Sequence, residues 1–276
     1  MRPMTLTAVL TAAAIASACG GGGGEEPAAD FACIFANCKN SLDIQVSDLS
    51  ASYEITQEGT RVTAVSSMGY RYNLLTVVRV TGGDTLTLSS GAQSREMHPT
   101  DASWWHTSTS LDGLGESPTV SVDFQRGTQV ERSTVTMPKV FSIVSPTGAV
   151  VLKRSAGQLL ATLTTLPADH LVTWVDGNCW RADGTQFVVK TLVNPAYVSA
   201  QPAGGLYRID VAALDGVISL NNQQAQPANL SPVDRCDFTL QWRSEVNGTK
   251  PAGLHPSSSI VGVTRQAMPL TYLVQQ

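Results

Sequence analysis

The segment REMHPTDASWWHTSTSLDGLGES, residues 95–117, gathers most of the side chains that could do chemistry. It holds His98 and His106, the carboxylates Asp101, Asp112 and Glu116, and the adjacent pair Trp104 and Trp105. Two histidines at this spacing lack the i, i+4 geometry that brings a pair of imidazoles onto one helix face around zinc. A serine hydrolase is equally unsupported, because G-x-S-x-G does not occur and no glycine cluster beside a serine offers an oxyanion hole. Binding is the chemistry that remains. Adjacent residues of a strand point to opposite faces, so one indole is expected on the core and the other in solvent. An exposed indole stacks on a sugar face or anchors a protein partner. Trp104, Trp105 and His106 are therefore the expected binding surface, against the plainer reading in which both indoles plug the end of a sandwich. No catalytic and no metal-binding residue is assigned.

A second oxygen-rich stretch, Asp176-Gly177-Asn178-Cys179-Trp180-Arg181-Ala182-Asp183-Gly184, invites comparison with a calcium loop. Cys, Arg and Ala stand where ligands should be, and the closing Glu is missing. A turn pinned by a disulfide at Cys179, with Trp180 and Trp242 covering it, is expected instead. Neither G-x-x-x-x-G-K-[ST] nor G-x-G-x-x-G occurs, so no nucleotide or other cofactor is expected. The chain carries 18 Lys+Arg against 22 Asp+Glu and a formal net charge of −4. No basic cluster appears, which argues against nucleic acid as a partner.

The elements that must position these residues read as strands. Alternation recurs every eight to twelve residues with Gly, Asp, Asn or Pro between, and helical periodicity is nearly absent. A first set covers ASYEIT (51–56), RVTAVSS (61–67), LLTVVRV (74–80), DTLTLSS (84–90), TVSVDFQ (119–125) and STVTMP (133–138). Val62, Ala64 and Ser66 share one face, and Leu86 and Leu88 point inward. Gly82-Gly83-Asp84 makes a tight turn. The segment 95–117 is expected as a long loop within this set. A second set runs from KVFSIVSP (139–146) to SIVGVTRQAMPLTYLV (259–274), and includes GLYRIDVAAL (205–214) and GVISLNN (216–222) as strands. The boundaries are 43–138 and 139–276. Both sets end in a hairpin with Arg before and after the turn, Arg126 and Arg132 in the first, Arg243 and Arg265 in the second, which reads as two copies of one sandwich.

The N-terminus concerns location. Arg2 is followed by an uncharged, largely apolar stretch from Thr5 to Ala18, the length of a signal-peptide core and too short to span a bilayer. Ala16-Ser17-Ala18-Cys19 resembles the bacterial lipobox. The resemblance implies removal of residues 1–18, lipidation of Cys19, and a membrane anchor; Gly20 in place of Asp implies sorting to an outer membrane. The glycines after Cys19 resist regular structure and form a flexible tether through residue 42. Four cysteines remain: Cys33, Cys38, Cys179 and Cys236. Export favours disulfides, four cysteines allow three pairings, and Cys33–Cys38 with Cys179–Cys236 are the expected ones. Residues 45–276 resemble tandem immunoglobulin-like or fibronectin-III-like β-sandwiches of bacterial surface lipoproteins. Trp174 stands where the core Trp of such a domain would lie. Cys179 follows that Trp rather than preceding it, so the family's disulfide is absent. The resulting expectation is an all-β chain of two tandem Ig-like sandwiches behind a lipid anchor. It would be a binding or structural module of the cell envelope acting through protein or glycan contacts. The alternatives are an accessory subunit of an envelope complex and a hydrolase with its site in 95–117.

Overall fold

The computed structural model describes residues 37–100, 106–164, 170–202, 204–229 and 231–275, and they form an all-β protein with one α-helix. The strands begin with β1 (Asn37–Asn40), β2 (Leu49–Glu58), β3 (Arg61–Tyr70), β4 (Asn73–Arg79), β5 (Thr85–Ser90) and β6 (Gln93–Glu96). They continue with β7 (His98–Pro99), β8 (His106–Leu111), β9 (Thr119–Arg126), β10 (Gln129–Thr136), β11 (Ile143–Ser145), β12 (Val150–Lys153) and β13 (Gln158–Leu163). The remainder is β14 (His170–Arg181), β15 (Gln186–Val193), β16 (Ala196–Gln201), β17 (Gly204–Asp210), α1 (Val211–Ala225), β18 (Val233–Asn247) and β19 (Ser259–Leu273).

Alternation decides which face each strand buries. In β2, Leu49, Ala51, Tyr53 and Ile55 are buried, while Ser52, Glu54 and Glu58 between them face outward. In β3, Val62, Ala64 and Ser66 lie on the buried face, and in β5 Leu86 and Leu88 do. Gly82 and Gly83 turn the chain into β5 with φ of 68° and 92°, and a Cβ at Gly82 would collide with Leu42.

Three sheets result. The large one has eleven strands, with the path β1-β4-β3-β2-β19-β18-β14-β15 and β7, β8 and β12 off it. Two four-stranded sheets, β10-β9-β5-β6 and β11-β13-β17-β16, supply the facing layers. The first core joins Leu49, Tyr53, Ile55 and Val62 of the large sheet to Leu86, Leu88, Val122 and Phe124. The second joins Val175, Cys179, Phe238, Leu240 and Trp242 to Leu159, Leu163, Tyr207 and Ile209. The two sandwiches share the large sheet. Half of β19 pairs in parallel with β2, from Ser259↔Ser52 to Thr264↔Gln57; its other end pairs in parallel with β12, from Val150↔Leu270 to Lys153↔Leu273. Ile260 and Leu254 accordingly belong to the first core, and Met268 and Tyr272 to the second. Pro269, which has no N–H to give a ladder, falls between the β2 and β12 pairings.

Three expectations need correction. GVISLNN is not a strand. Val211–Ala225 is the helix α1, which buries Val211, Leu214 and Ile218. That i, i+3, i+7 stripe is helical; the short alternation Val217–Ser219 and Ile218–Leu220 concealed it. KVFSIVSP contributes only the three residues of β11. Trp174 is not the core Trp. Thr173, Val175 and Cys179 set the inward parity of β14, so Trp174 faces outward beneath the Arg243 guanidinium, 6.0 Å from its ring centroid. The fully buried indole is Trp242.

Cys179 and Cys236 are bonded, and they sit directly opposite each other on β14 and β18, within one sheet. Their cross-strand neighbours are Phe187 and Tyr272, with Leu152 beyond, so one buried row crosses five strands. Phe187 and Tyr272 flank the bridge where Trp180 and Trp242 were expected. Trp180 lies on the outer face under Arg235, 4.9 Å away. Cys38 is also disulfide-bonded; Cys33 and Cys19 lie outside the described residues, as does the expected signal and tether segment as far as residue 36, whereas its last residues, 37–42, are not a free tether: β1 pairs with β4 and Ser41 is buried.

The four hairpin arginines are all ion-paired, each in its own way. Arg126 grips the buried Asp84 carboxylate through Nε and Nη2 at 2.9 and 2.6 Å. It also donates to the carbonyls of Ile44 and Ser41 at 2.8 and 2.6 Å. Arg132 pairs with Asp123 on the neighbouring strand. Arg243 bridges Glu54 and Glu245, and Arg265 pairs with Glu58.

Two stability outcomes follow from this packing. Arg126→Ala leaves the Asp84 carboxylate, 1 % exposed, without its counter-charge, and urea unfolding should show a loss of about 3 kcal/mol. Replacing Cys179 and Cys236 together by Ala opens a loop with a sequence separation of 57. Loop-closure entropy sets the expected loss at up to about 4 kcal/mol in the same assay.

Candidate functional site

The residues singled out between 95 and 117 do not form a long loop. Glu96 ends β6 in a small sheet, Met97 is buried with its N–H on the Leu86 carbonyl at 2.8 Å, and β7 and β8 then join the large sheet. The segment therefore crosses from one layer of the first sandwich to the other. The Thr and Ser of HTSTSL make β8 a strand. Thr107 turns inward, where its hydroxyl meets that of Ser66 at 2.7 Å, and His106 points outward. Trp104, Trp105 and Asp101 lie outside the described residues. His98 stands opposite Ser108, and His106 opposite Ser67. Both histidines are exposed, and neither imidazole bonds to a described residue. Asp112 is engaged by Arg61 at 3.8 Å. Among the described residues no group of three His, Cys, Asp or Glu side chains converges as metal ligands would.

His106 instead borders a cavity of 280 Å³ on the outer face of the large sheet. Register explains its lining. Ser52 pairs with Ser67 and Ser67 with His106, while Ser50 pairs with Gly69 and Gly69 with Val77. Every member faces the same side, and three are serines. The floor is Gly69, where an added Cβ would lie 3.8 Å from the Thr76 carbonyl and 3.9 Å from that of Ser50. The ladder between β3 and β4 shifts at Gly69 and Tyr70; Tyr70, opposite the buried Leu49, packs against the first core. One face of the Tyr70 ring carries Lys39 Nζ at 4.1 Å, and its edge meets Tyr72 with centroids 5.3 Å apart. Thr76 borders the lining with its carbonyl near Gly69, while its side chain shares the inward parity of Val78 and its hydroxyl oxygen is buried without a hydrogen-bond partner.

Behind the cavity stands a hydroxyl relay that the sequence did not advertise. The Ser50 hydroxyl meets that of Ser257 at 2.7 Å, and the Ser257 hydroxyl meets His255 Nδ1 at 2.7 Å. The Ser257 amide donates to the same Nδ1 at 3.2 Å, which identifies Nδ1 as an acceptor. The Ser257 hydroxyl then donates to the ring and accepts from Ser50. Ser50 is left with its lone pairs turned elsewhere. No described carboxylate orients His255, so the relay fixes hydroxyl polarity and is not assembled as a nucleophile–base–acid chain. The meeting of Ser257 with Ser50 depends on the parallel pairing of β19 with β2.

The Asp176–Gly184 stretch is a strand end and a turn. Asp176 pairs with Lys190 on β15 at 3.7 Å. Asp183 accepts from the Thr185 hydroxyl and amide at 2.7 and 2.9 Å, and from Asn229 at 3.0 Å. Arg181, 2 % exposed, fills the interior of the turn through Asn222 and Thr185. A cation there would face a buried guanidinium and a carboxylate already saturated with donors. Those donors, Thr185 foremost, hold the Asp183 carboxyl below its usual 3.8. A depressed folded-state value stabilises above the ordinary value, and the benefit disappears as pH falls through the folded one. The stability difference between the protein and Asp183→Ala should therefore be full at neutral pH and shrink as pH drops below 3.8 in urea unfolding.

No family model matches the chain, and no curated protein matches it. Among solved structures, it overlaps a chimeric titin Z1Z2 functionalised with a KLER exogenous peptide from decorin. That overlap has 12 % identity and a TM-score of 0.22 over 84 % of this chain and 100 % of that one. An overlap so slight bears on neither fold nor function.

Proposed function

We propose that the protein is a lipid-anchored binding module of a bacterial cell envelope, attached through Cys19, probing its surroundings by its Gly-rich tether and recognising a glycan on the outer face of its large sheet. The lipobox-like Ala16–Cys19 and the glycines that follow support the location. One observation carries the binding role: the cavity over Gly69 is lined by the Ser50, Ser52 and Ser67 hydroxyls and the His106 ring, with no carboxylate, ammonium or guanidinium among the described residues of its lining. Sugars present hydroxyls that both donate and accept, together with C–H faces that pack on aromatic rings. Trp104 and Trp105 directly precede His106 in sequence and extend the same reading. Outer-membrane attachment is part of this proposal.

A second reading is favoured by the far edge of the sheet. Among the described residues β15 pairs on one side only, with β14, and it exposes Val188 and Leu192 at 60 % and 44 %. An accessory subunit could accept a partner strand there.

The full chain should be retained on insoluble envelope polysaccharide, released by the soluble form, and leave the polysaccharide uncleaved. Retention that depends on β15, or the release of sugar fragments, would instead favour the subunit or hydrolase reading. Absence of any retention would contradict the proposed role.

A further inference from the structure

We infer that the cavity over Gly69 is a subsite for one neutral hexopyranose ring; this rests on the glycan-binding reading above and specifies it. Charge selects first. Among the described residues no charged side chain lines the cavity, so an ionic ligand would leave water without a counter-charge from them, whereas a neutral polyol needs none. Size selects next. At 280 Å³ the cavity lies at the small end of ligand pockets, which run from roughly 300 to 1,000 Å³, and it suits a single ring rather than a chain segment.

Hydrogen-bond polarity then sets the recognition. The relay from His255 through Ser257 consumes the Ser50 proton, so Ser50 offers an acceptor to a ligand hydroxyl. Ser52 and Ser67 are directly opposed across β2 and β3 and supply hydroxyls that donate as well as accept. The Thr76 carbonyl, 3.8 Å from where a Cβ at Gly69 would stand, adds a backbone acceptor beside the floor.

Gly69 makes the cavity. Its place on the outward face would otherwise carry a side chain between Ser50 and Val77. The surroundings at 3.8 and 3.9 Å are ordinary van der Waals contacts, so Gly69→Ala is accommodated while its methyl occupies the floor.

The test is a titration of the full chain, followed by amide NMR, with methyl β-D-glucopyranoside and methyl N-acetyl-β-D-glucosaminide as neutral probes, and glucuronate and inorganic phosphate as charged ones. The neutral glycosides should shift the Ser67, Gly69 and His106 amides saturably, and Gly69→Ala should weaken that response about tenfold or more. Ser257→Ala, which leaves the cavity lining intact, should weaken it less than Gly69→Ala does. The charged probes should leave these amides unmoved. Saturable shifts at other amides only, a stronger response to glucuronate or phosphate, or full affinity in Gly69→Ala would each overturn the assignment. If polysaccharide still retains the chain while the glycosides move none of the three amides, this subsite is wrong and the glycan-binding reading stands. If retention is absent as well, both fail.

Discussion

One strand, β19, is shared between two hydrophobic cores, and the rest of the architecture depends on that sharing. Its first half lies between β18 and β2, and its last residues lie between β18 and β12. Parallel neighbours cannot be joined by a tight turn, so β2 and β19 meet only after the whole intervening chain has folded back. Ion pairs secure the junction on the outer face. Arg243 and Arg265 are directly opposite each other on β18 and β19, a repulsive arrangement by itself. Each is neutralised by a glutamate of β2, Glu54 for Arg243 and Glu58 for Arg265. Val263, fully buried although it belongs to the outward-facing row, lies within this charged lattice.

The same junction builds the candidate site. Ser259 meets Ser52 where β19 starts beside β2, and the connection just before it delivers His255 and Ser257 to Ser50. The cavity wall and the relay behind it thus come from chain segments about two hundred residues apart, brought together by one parallel register. A surface assembled this way is stiff along the strands. That stiffness suits recognition, which gains when the contacting groups are held in place before the ligand arrives.

Where burial alternates with polar residues, the sequence was readable. Period two put Val62 and Ala64 on one face and Leu86 and Leu88 inward, and all four are buried. The Cys179–Cys236 bond was the pairing expected of the three that four cysteines allow, both residues lying in the second set of strands, and it forms. Other features were hidden for physical reasons. In α1 the apolar stripe is short and interrupted by Gly216, so it competes poorly with strand-like alternation. In β8 serines and threonines occupy both faces, and the inward Thr107 is satisfied by Ser66 instead of by apolar contact. Trp174 was misplaced because fold resemblance outweighed parity: counting back from the buried Cys179 puts it outside. The relay from His255 to Ser50 left no local trace, since parallel pairing has no turn signature, and the matching Arg positions of the two terminal hairpins hold four different ion pairs.

Native-state hydrogen exchange along β19 tests the central claim most directly. If one strand serves both cores, the amides of Ile260 to Thr264 and those of Met268 to Tyr272 should lose protection together, in one cooperative opening as denaturant rises. Separate openings, with the segment beside β2 exchanging independently of the segment beside β12, would contradict a shared strand and leave the site resting on the first sandwich alone.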